Sequence, residues 1–154
     1  MRLESRDGTW FDLRVLRRQR LELRGARPGN DWCADWLVLR GEACVPDGRR
    51  WAFVEPCLTP WEGQRLGEWL RAVAGRGGEP VVPRGSGLLF AEPLLSLAFD
   101  DARADRRLLR VHLTGAAAWP DPADGRPRGG GFALDLTEAG LLRAADAWSA
   151  ALPG

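Results

Sequence analysis

The sequence contains no lysine and no tyrosine, and its 154 residues include a single histidine and three cysteines. Without lysine, the G-x-x-x-x-G-K-[ST] pattern that binds phosphate in P-loop proteins is impossible. One imidazole and scattered thiols do not supply the ligands of a zinc site. These absences exclude P-loop chemistry and a histidine-based metal centre, and we predict that the protein uses no cofactor.

The three cysteines are Cys33, Cys44 and Cys57, an odd number without C-x-x-C spacing. This pattern argues against a disulfide framework and favours free, buried thiols in a reducing compartment. Residues 1–10 lack the apolar segment of a signal peptide, and no stretch approaches the ~18 apolar residues of a membrane span. We therefore predict a cytoplasmic protein with no membrane partner.

The chain also lacks an excess of either positive or negative charge. All 22 basic residues are arginine, 21 acidic residues are interleaved with them, and the formal net charge is +1. Arginine without lysine, in a chain rich in Ala, Gly and Pro, indicates the codon usage of a GC-rich genome. Nucleic-acid binders carry a concentrated positive footprint, which this chain lacks, so we predict no nucleic-acid partner.

The length and composition are those of one globular domain. A chain of 154 residues with 45% hydrophobic and 28% charged residues can bury a core of its own. We predict a single domain over residues 1–154.

Alternation of apolar and polar residues predicts strands through most of the chain. The predicted strands are Trp10–Leu16, Leu21–Leu23, Asp35–Val45, Trp51–Glu55, Leu88–Ala91, Leu95–Phe99, Leu109–Leu113 and Phe132–Leu136. The charged segment 17–20 interrupts the first alternation, and we interpret it as a hairpin turn.

Two helices are predicted, one after each group of strands. Thr59 and Glu62 form the T-x-x-E capping box of the first, with Pro60 at its first position. Thr137 caps the second. The apolar faces are Leu66, Trp69, Leu70 and Val73 in the first helix, and Leu141, Ala145, Trp148 and Leu152 in the second. The order strands, helix, strands, helix predicts an α+β fold: an antiparallel sheet of about 7–9 strands with two helices.

Two internal echoes occur. The pattern F-x-E-P-x-L-[ST] appears at 53–59 and again at 90–96, and a Leu-Thr pair precedes each predicted helix with a Trp about three turns later. Two similar halves would explain both echoes, and so would chance in a biased composition.

Catalytic motifs are missing. His112 lies on the polar side of its strand with no local nucleophile or carboxylate motif, which predicts a sheet-surface histidine. Glu55 and Glu92, in matching E-P contexts, could form a carboxylate pair. One hypothesis is therefore a ligand-binding or enzymatic domain, with Glu55, Glu92, His112 and arginines in a deep pocket on a concave sheet face.

Loop tryptophans and nearby acids suggest protein binding instead, because Trp is enriched among interface hot spots. If the ends of the hairpins lie close together in space, these residues would form an acidic, Trp-bearing rim suited to a basic partner. The predicted partner-binding residues are Asp31, Trp32, Asp35, Asp100, Asp101, Trp119 and Asp121.

A family resemblance favours this second hypothesis. Its motifs are Asp35-Trp36-Leu37-Val38-Leu39-Arg40-Gly41-Glu42, then Trp51-x-Phe53-x-x-Pro56-Cys57-Leu58-Thr59-x-x-Glu62, Phe90-x-Glu92-Pro93-x-Leu95-Ser96, and the closing helix after Leu134-x-Leu136-Thr137. From about Asp35 onward the chain resembles the WapI-type immunity proteins, small actinobacterial proteins. The resemblance implies a non-catalytic module that binds a cognate toxin. We expect a monomer or weak dimer; a self-assembling structural protein is a third hypothesis.

Overall fold

A computed structural model describes residues 1–20, 35–75, 79–121 and 123–153, which form ten strands and two α-helices. The first half contains β1 (Arg2–Glu4), β2 (Trp10–Arg20), β3 (Asp35–Cys44), β4 (Arg50–Leu58) and α1 (Pro60–Ala74). The second half contains β5 (Gly87–Leu89), β6 (Leu95–Arg103), β7 (Arg106–Leu113), β8 (Trp119–Pro120), β9 (Pro127–Arg128), β10 (Gly130–Thr137) and α2 (Glu138–Ala151). The predicted α+β class and element order are confirmed.

The two halves have the same topology. Strands β1-β2-β3-β4 form one antiparallel meander and β5-β6-β7-β10 form another, and a helix follows each. The short β8–β9 hairpin is inserted between β7 and β10. The Leu-Thr pairs lie at equivalent positions in the two halves, before α1 and before α2. The F-x-E-P segments do not, because Phe53 lies on β4 whereas Phe90 follows β5.

The helix caps are as the sequence predicts. The Thr59 hydroxyl accepts from Glu62 N at 3.2 Å, and Glu62 accepts from Thr59 N at 2.8 Å, which completes the capping box. The Thr137 hydroxyl accepts from Gly140 N at 3.0 Å. Both threonines satisfy backbone N–H groups that the first turn of a helix leaves without partners. None of the helices in the described part of the chain is long and apolar enough to span a membrane.

The predicted turn at residues 17–20 is wrong. Strand β2 continues to Arg20 and pairs with β3 over its whole length, with a register shift between Val15 and Arg17. This β-bulge inserts Leu16, which is 51% exposed, and moves the following residues out of the earlier alternation. The charged residues after it lie on a solvated strand end. The predicted strand 21–23 lies outside the described residues.

One hydrophobic cluster contains residues of both halves. Phe11 and Leu13 of β2 belong to the same cluster as Phe99 of β6 and Trp148 of α2. The sheets also meet where Ser5 Oγ accepts from Asp135 N at 3.1 Å. A shared core supports a single domain over residues 1–154, which stays a prediction.

Candidate functional site

One side of β4 runs along the junction of the two halves. By strand alternation Trp51, Phe53 and Glu55 lie on this side, which is the side of the buried Leu39 on β3; Cys57 follows at a register shift in the pairing with β3. We call it the seam. It has an aromatic part at its beginning and a carboxylate part near its end, and α1 starts just beyond it.

The aromatic part forms a cleft of about 360 Å³. The Trp51 ring lies 5.1 Å from the Trp119 ring and 5.7 Å from the Phe132 ring, centroid to centroid. The Trp119 indole covers Gly130 so closely that a Cβ atom there would lie 2.3 Å from the ring. Trp119 is therefore half-buried and packed against the β10 backbone and Trp51.

The two glutamates of the F-x-E-P segments lie at the carboxylate part. Glu55 is on β4 itself, and Glu92 is on the segment after β5. Burial raises the pKa of the fully buried Cys57 thiol to about 12, and the charges of Glu55 and then Glu92 add to the shift. The thiol is thus protonated at neutral pH and is a poor nucleophile. Both glutamates are half-buried, and neither has an ion-pair partner among the described residues. Both carboxylates therefore lie within electrostatic reach of the Cys57 thiol.

Glu62 ties the start of α1 to the second half. Its carboxylate is 5% exposed, and besides the capping box it accepts from Ala91 N at 2.6 Å. The segment after β5 is thereby held beside the first turn of α1. This bond fixes the position of Glu92, which is next to Ala91, relative to β4.

We expect Glu62→Ala to lower the free energy of unfolding by about 2–3 kcal/mol, because the substitution leaves the N–H groups of Thr59 and Ala91 without their acceptor. Urea denaturation followed by circular dichroism measures the change. Glu68→Ala is the matched control, since Glu68 is exposed on the same helix and has no ion-pair partner among the described residues; its effect should stay within ~0.5 kcal/mol. Equal effects of the two substitutions would contradict the linking role of Glu62.

Trp61 is the most exposed indole that the structure describes. It lies in the first turn of α1, its side chain is 59% exposed, and the Arg65 guanidinium lies 4.6 Å from its ring centroid. The sequence analysis missed it. The sequence contained a usable signal. Leu66 lies five positions after Trp61, so at about 100° per helical residue the Trp61 side chain lies ~140° around the helix from the buried Leu66.

Four of the five predicted acidic residues lie in the described ranges, and each is paired with arginine. Asp35 Oδ1 accepts from Arg18 Nε at 2.6 Å, Asp100 from Arg110 Nη2 at 2.8 Å and Asp101 from Arg103 Nε at 3.0 Å, and Asp121 pairs with Arg128. The hydrogen bonds from Arg103 and from the Ala102 N–H lower the pKa of Asp101. Such pairs on strand surfaces contribute little stability and leave little net negative charge for a partner.

The described residues of the predicted rim are separated: Asp35 lies at the start of β3 in the first sheet, and the others lie near two ends of the second sheet. Trp119 and Asp121 lie in or beside β8, near the aromatic cleft, which includes Gly131 next to the Gly130–Leu113 pair. Asp100 and Asp101 lie near the Asp101–Leu108 pair at the other end. Five residues of β7 separate these positions, about 17 Å. Asp31 and Trp32 lie outside the described residues, and binding by all seven stays a prediction.

The pocket expected for an enzyme is not among the clefts that the structure describes. Four clefts lined by described residues have volumes of about 260, 360, 520 and 300 Å³, and none is lined by Glu55, Glu92 or His112. His112 lies half-buried on the outer sheet face between Ser96 and Gly131. Within the described ranges, no group of three or more His, Cys, Asp or Glu side chains could hold a metal.

A comparison with protein families gives a match. A family model described as "Immunity protein WapI-like family" matches residues 2–153. The match therefore includes every element from β1 to α2. The comparison with curated proteins finds no match.

Proposed function

This chain belongs to the immunity protein WapI-like family, and we propose that it neutralises a cognate bacterial toxin by binding the toxin directly. The observation that carries the proposal is the family match over residues 2–153. We propose that the toxin is blocked by occlusion, as a monomer or weak dimer of this chain covers a surface that the toxin needs.

Several features of the site favour binding over catalysis. The Cys57 thiol is buried, and its pKa of about 12 keeps it protonated. Glu55 lies on β4 and Glu92 on the segment after β5, and neither lines any of the four clefts described above. We propose that these carboxylates act as surface charges toward a protein partner.

The state of the cysteines supports a proposal about the cell compartment. Cys44 and Cys57 are free and buried, as expected for thiols in a reducing environment. We propose that the protein acts in the cytoplasm of the producing cell or its kin. The near-neutral net charge gives no support for a nucleic-acid partner.

Co-expression with the toxin encoded by a neighbouring gene tests the proposal. We expect growth of a bacterial host that makes the toxin to be restored when this chain is made as well, and the two purified proteins to elute together as a stoichiometric complex. The unrelated toxin of a different family is the control, and it should be unaffected. Failure of the chain to bind or neutralise the neighbouring toxin would overturn the proposal.

A further inference from the structure

The start of α1 and the segment after β5 form an exposed surface with both apolar and acidic character. Trp61 is 59% exposed and Leu89 is 74% exposed. They flank the hydrogen bond from Ala91 N to Glu62, since Trp61 directly precedes Glu62 and Leu89 lies two residues before Ala91. We call this the α1 surface; it also includes Glu55, Glu92 and Glu68.

Rigid placement distinguishes Trp61 from an incidental surface residue. It lies in a helix turn whose capping box is complete, and the buried Glu62 holds that turn to the second half. Arg65 is stacked over the indole at 4.6 Å, one helical turn away. An exposed indole that loses little conformational freedom on binding is a favourable anchor, because ordering costs are subtracted from affinity.

The charges on the α1 surface are unusual for this chain. Most acids elsewhere in the described ranges are ion-paired with arginine, as Asp100 is with Arg110 and Asp135 with Arg106. Five acids of the described ranges have neither an ion pair nor a side-chain hydrogen bond: Glu55, Glu68, Glu79, Glu92 and Asp105. Three of these five belong to the α1 surface, where Arg65 is held against Trp61.

We propose that the α1 surface is the toxin-binding face, and that it receives a segment of the toxin bearing arginine or lysine beside an apolar side chain. This rests on the proposed function. The apolar part would pack on Trp61 and Leu89, and the cation would pair with Glu55 and Glu92, the two half-buried unpaired carboxylates. A standard interface of about 800 Å² per partner is large enough to cover both parts of the surface.

Binding of the neighbouring-gene toxin, measured by isothermal titration calorimetry, tests the face. We expect Trp61→Ala to raise Kd about 30-fold and the double variant Glu55→Gln, Glu92→Gln to raise it about tenfold. Added salt should raise the Kd of the unchanged chain. In the double variant, most of this salt dependence of Kd should be gone. Val54→Ala is the matched control, because Val54 is 51% exposed on the opposite side of β4; its Kd should stay within twofold.

The outcomes separate the two proposals. One outcome is that Trp61→Ala binds the toxin normally, whereas Asp100→Asn and Asp101→Asn lower the affinity. This outcome places the face at the acidic residues predicted from the sequence and overturns the α1 surface. Self-association that disappears in Trp61→Ala would identify a second copy of this chain as the occupant and would also overturn it. Absence of toxin binding by the unchanged chain overturns both proposals. Circular dichroism melting curves verify that each variant is folded.

Discussion

Replacing Arg107 with methionine is expected to lower the free energy of unfolding by about 3–5 kcal/mol, because the substitution leaves buried backbone carbonyls without their hydrogen-bond donor. Arg107 is fully buried on β7, and its Nε and Nη2 atoms donate to the carbonyls of Val73 and Ala74 at 3.0 and 2.9 Å. Its Nη1 atom donates to the carbonyls of Ala104 and Arg106, both at 2.9 Å. Methionine fills similar volume but donates nothing, so two buried and two partly buried acceptors lose their donor.

The guanidinium joins the ends of the two helices. Val73 and Ala74 are the last residues of α1, where exposed carbonyls give the helix its negative end. Glu138, the first residue of α2, lies 3.7 Å from Arg107 Nη2. A positive charge at one helix end and a negative charge at the start of the other are both favourable placements. The loss of Arg107 therefore weakens the connection between the two halves as well as the end of α1.

Equilibrium urea denaturation of Arg107→Met measures the change. Arg110→Met on the same strand is the control, because Arg110 is exposed and pairs only with Asp100; it should cost less than ~1 kcal/mol. Arg107→Lys should recover only part of the stability, since one ammonium cannot reach four carbonyls arranged around a planar fork. A cost for Arg107→Met no larger than that for Arg110→Met would contradict the linking role.

The buried position of Arg107 could be predicted from its place in the strand alternation of β7. It alternates with Leu109 and Val111, so it belongs to the apolar side of β7, whereas its neighbour Arg106 pairs with Asp135 at the surface. The predicted strand instead began at Leu109, so Arg107 was left outside it. Glu55 likewise alternates with the buried Phe53.

Local signals predicted the helices well. Thr59, Pro60 and Glu62 act within one turn, so the chain segment itself contains the information that starts α1. Alternation likewise located most strands. The surface that we propose as the binding face depends instead on a contact between Glu62 and Ala91, 29 residues apart, which neither segment encodes alone.

The same limit applies to the aromatic cleft. Trp51 and Trp119 are brought together by sheet pairing and by the β8–β9 hairpin, and no sequence pattern relates them. Trp119 lies in a segment rich in proline and glycine, which indicated a loop residue. A glycine at position 130 is what allows its indole to pack flat on β10. Steric room of this kind is visible only once the partner strand is known.

The matching tryptophans of the two helices should differ sharply in their contribution to stability. Trp148→Ala is expected to lower the free energy of unfolding by about 3–5 kcal/mol, because the side chain is fully buried and its removal leaves a cavity. The indole Nε1 also donates to the Gly63 carbonyl at 2.7 Å, across the contact between α2 and α1. Trp69, its counterpart in the sequence echo, is only half-buried, so Trp69→Ala should cost clearly less.

Two further variants separate packing from hydrogen bonding at this contact. Trp148→Phe keeps an aromatic ring but removes the N–H that donates to the buried Gly63 carbonyl, and we expect the free energy of unfolding to fall by about 0.5–1.5 kcal/mol in urea denaturation. Gly67→Ala places a Cβ atom 2.9 Å from Ser149 Oγ and 3.4 Å from Trp148 Cδ1, so it tests how closely the helices approach. If Trp148→Ala cost no more than Trp69→Ala, the helix pair would not be held by this indole, and the close approach at Gly63 and Gly67 would have to depend on the sheets beneath.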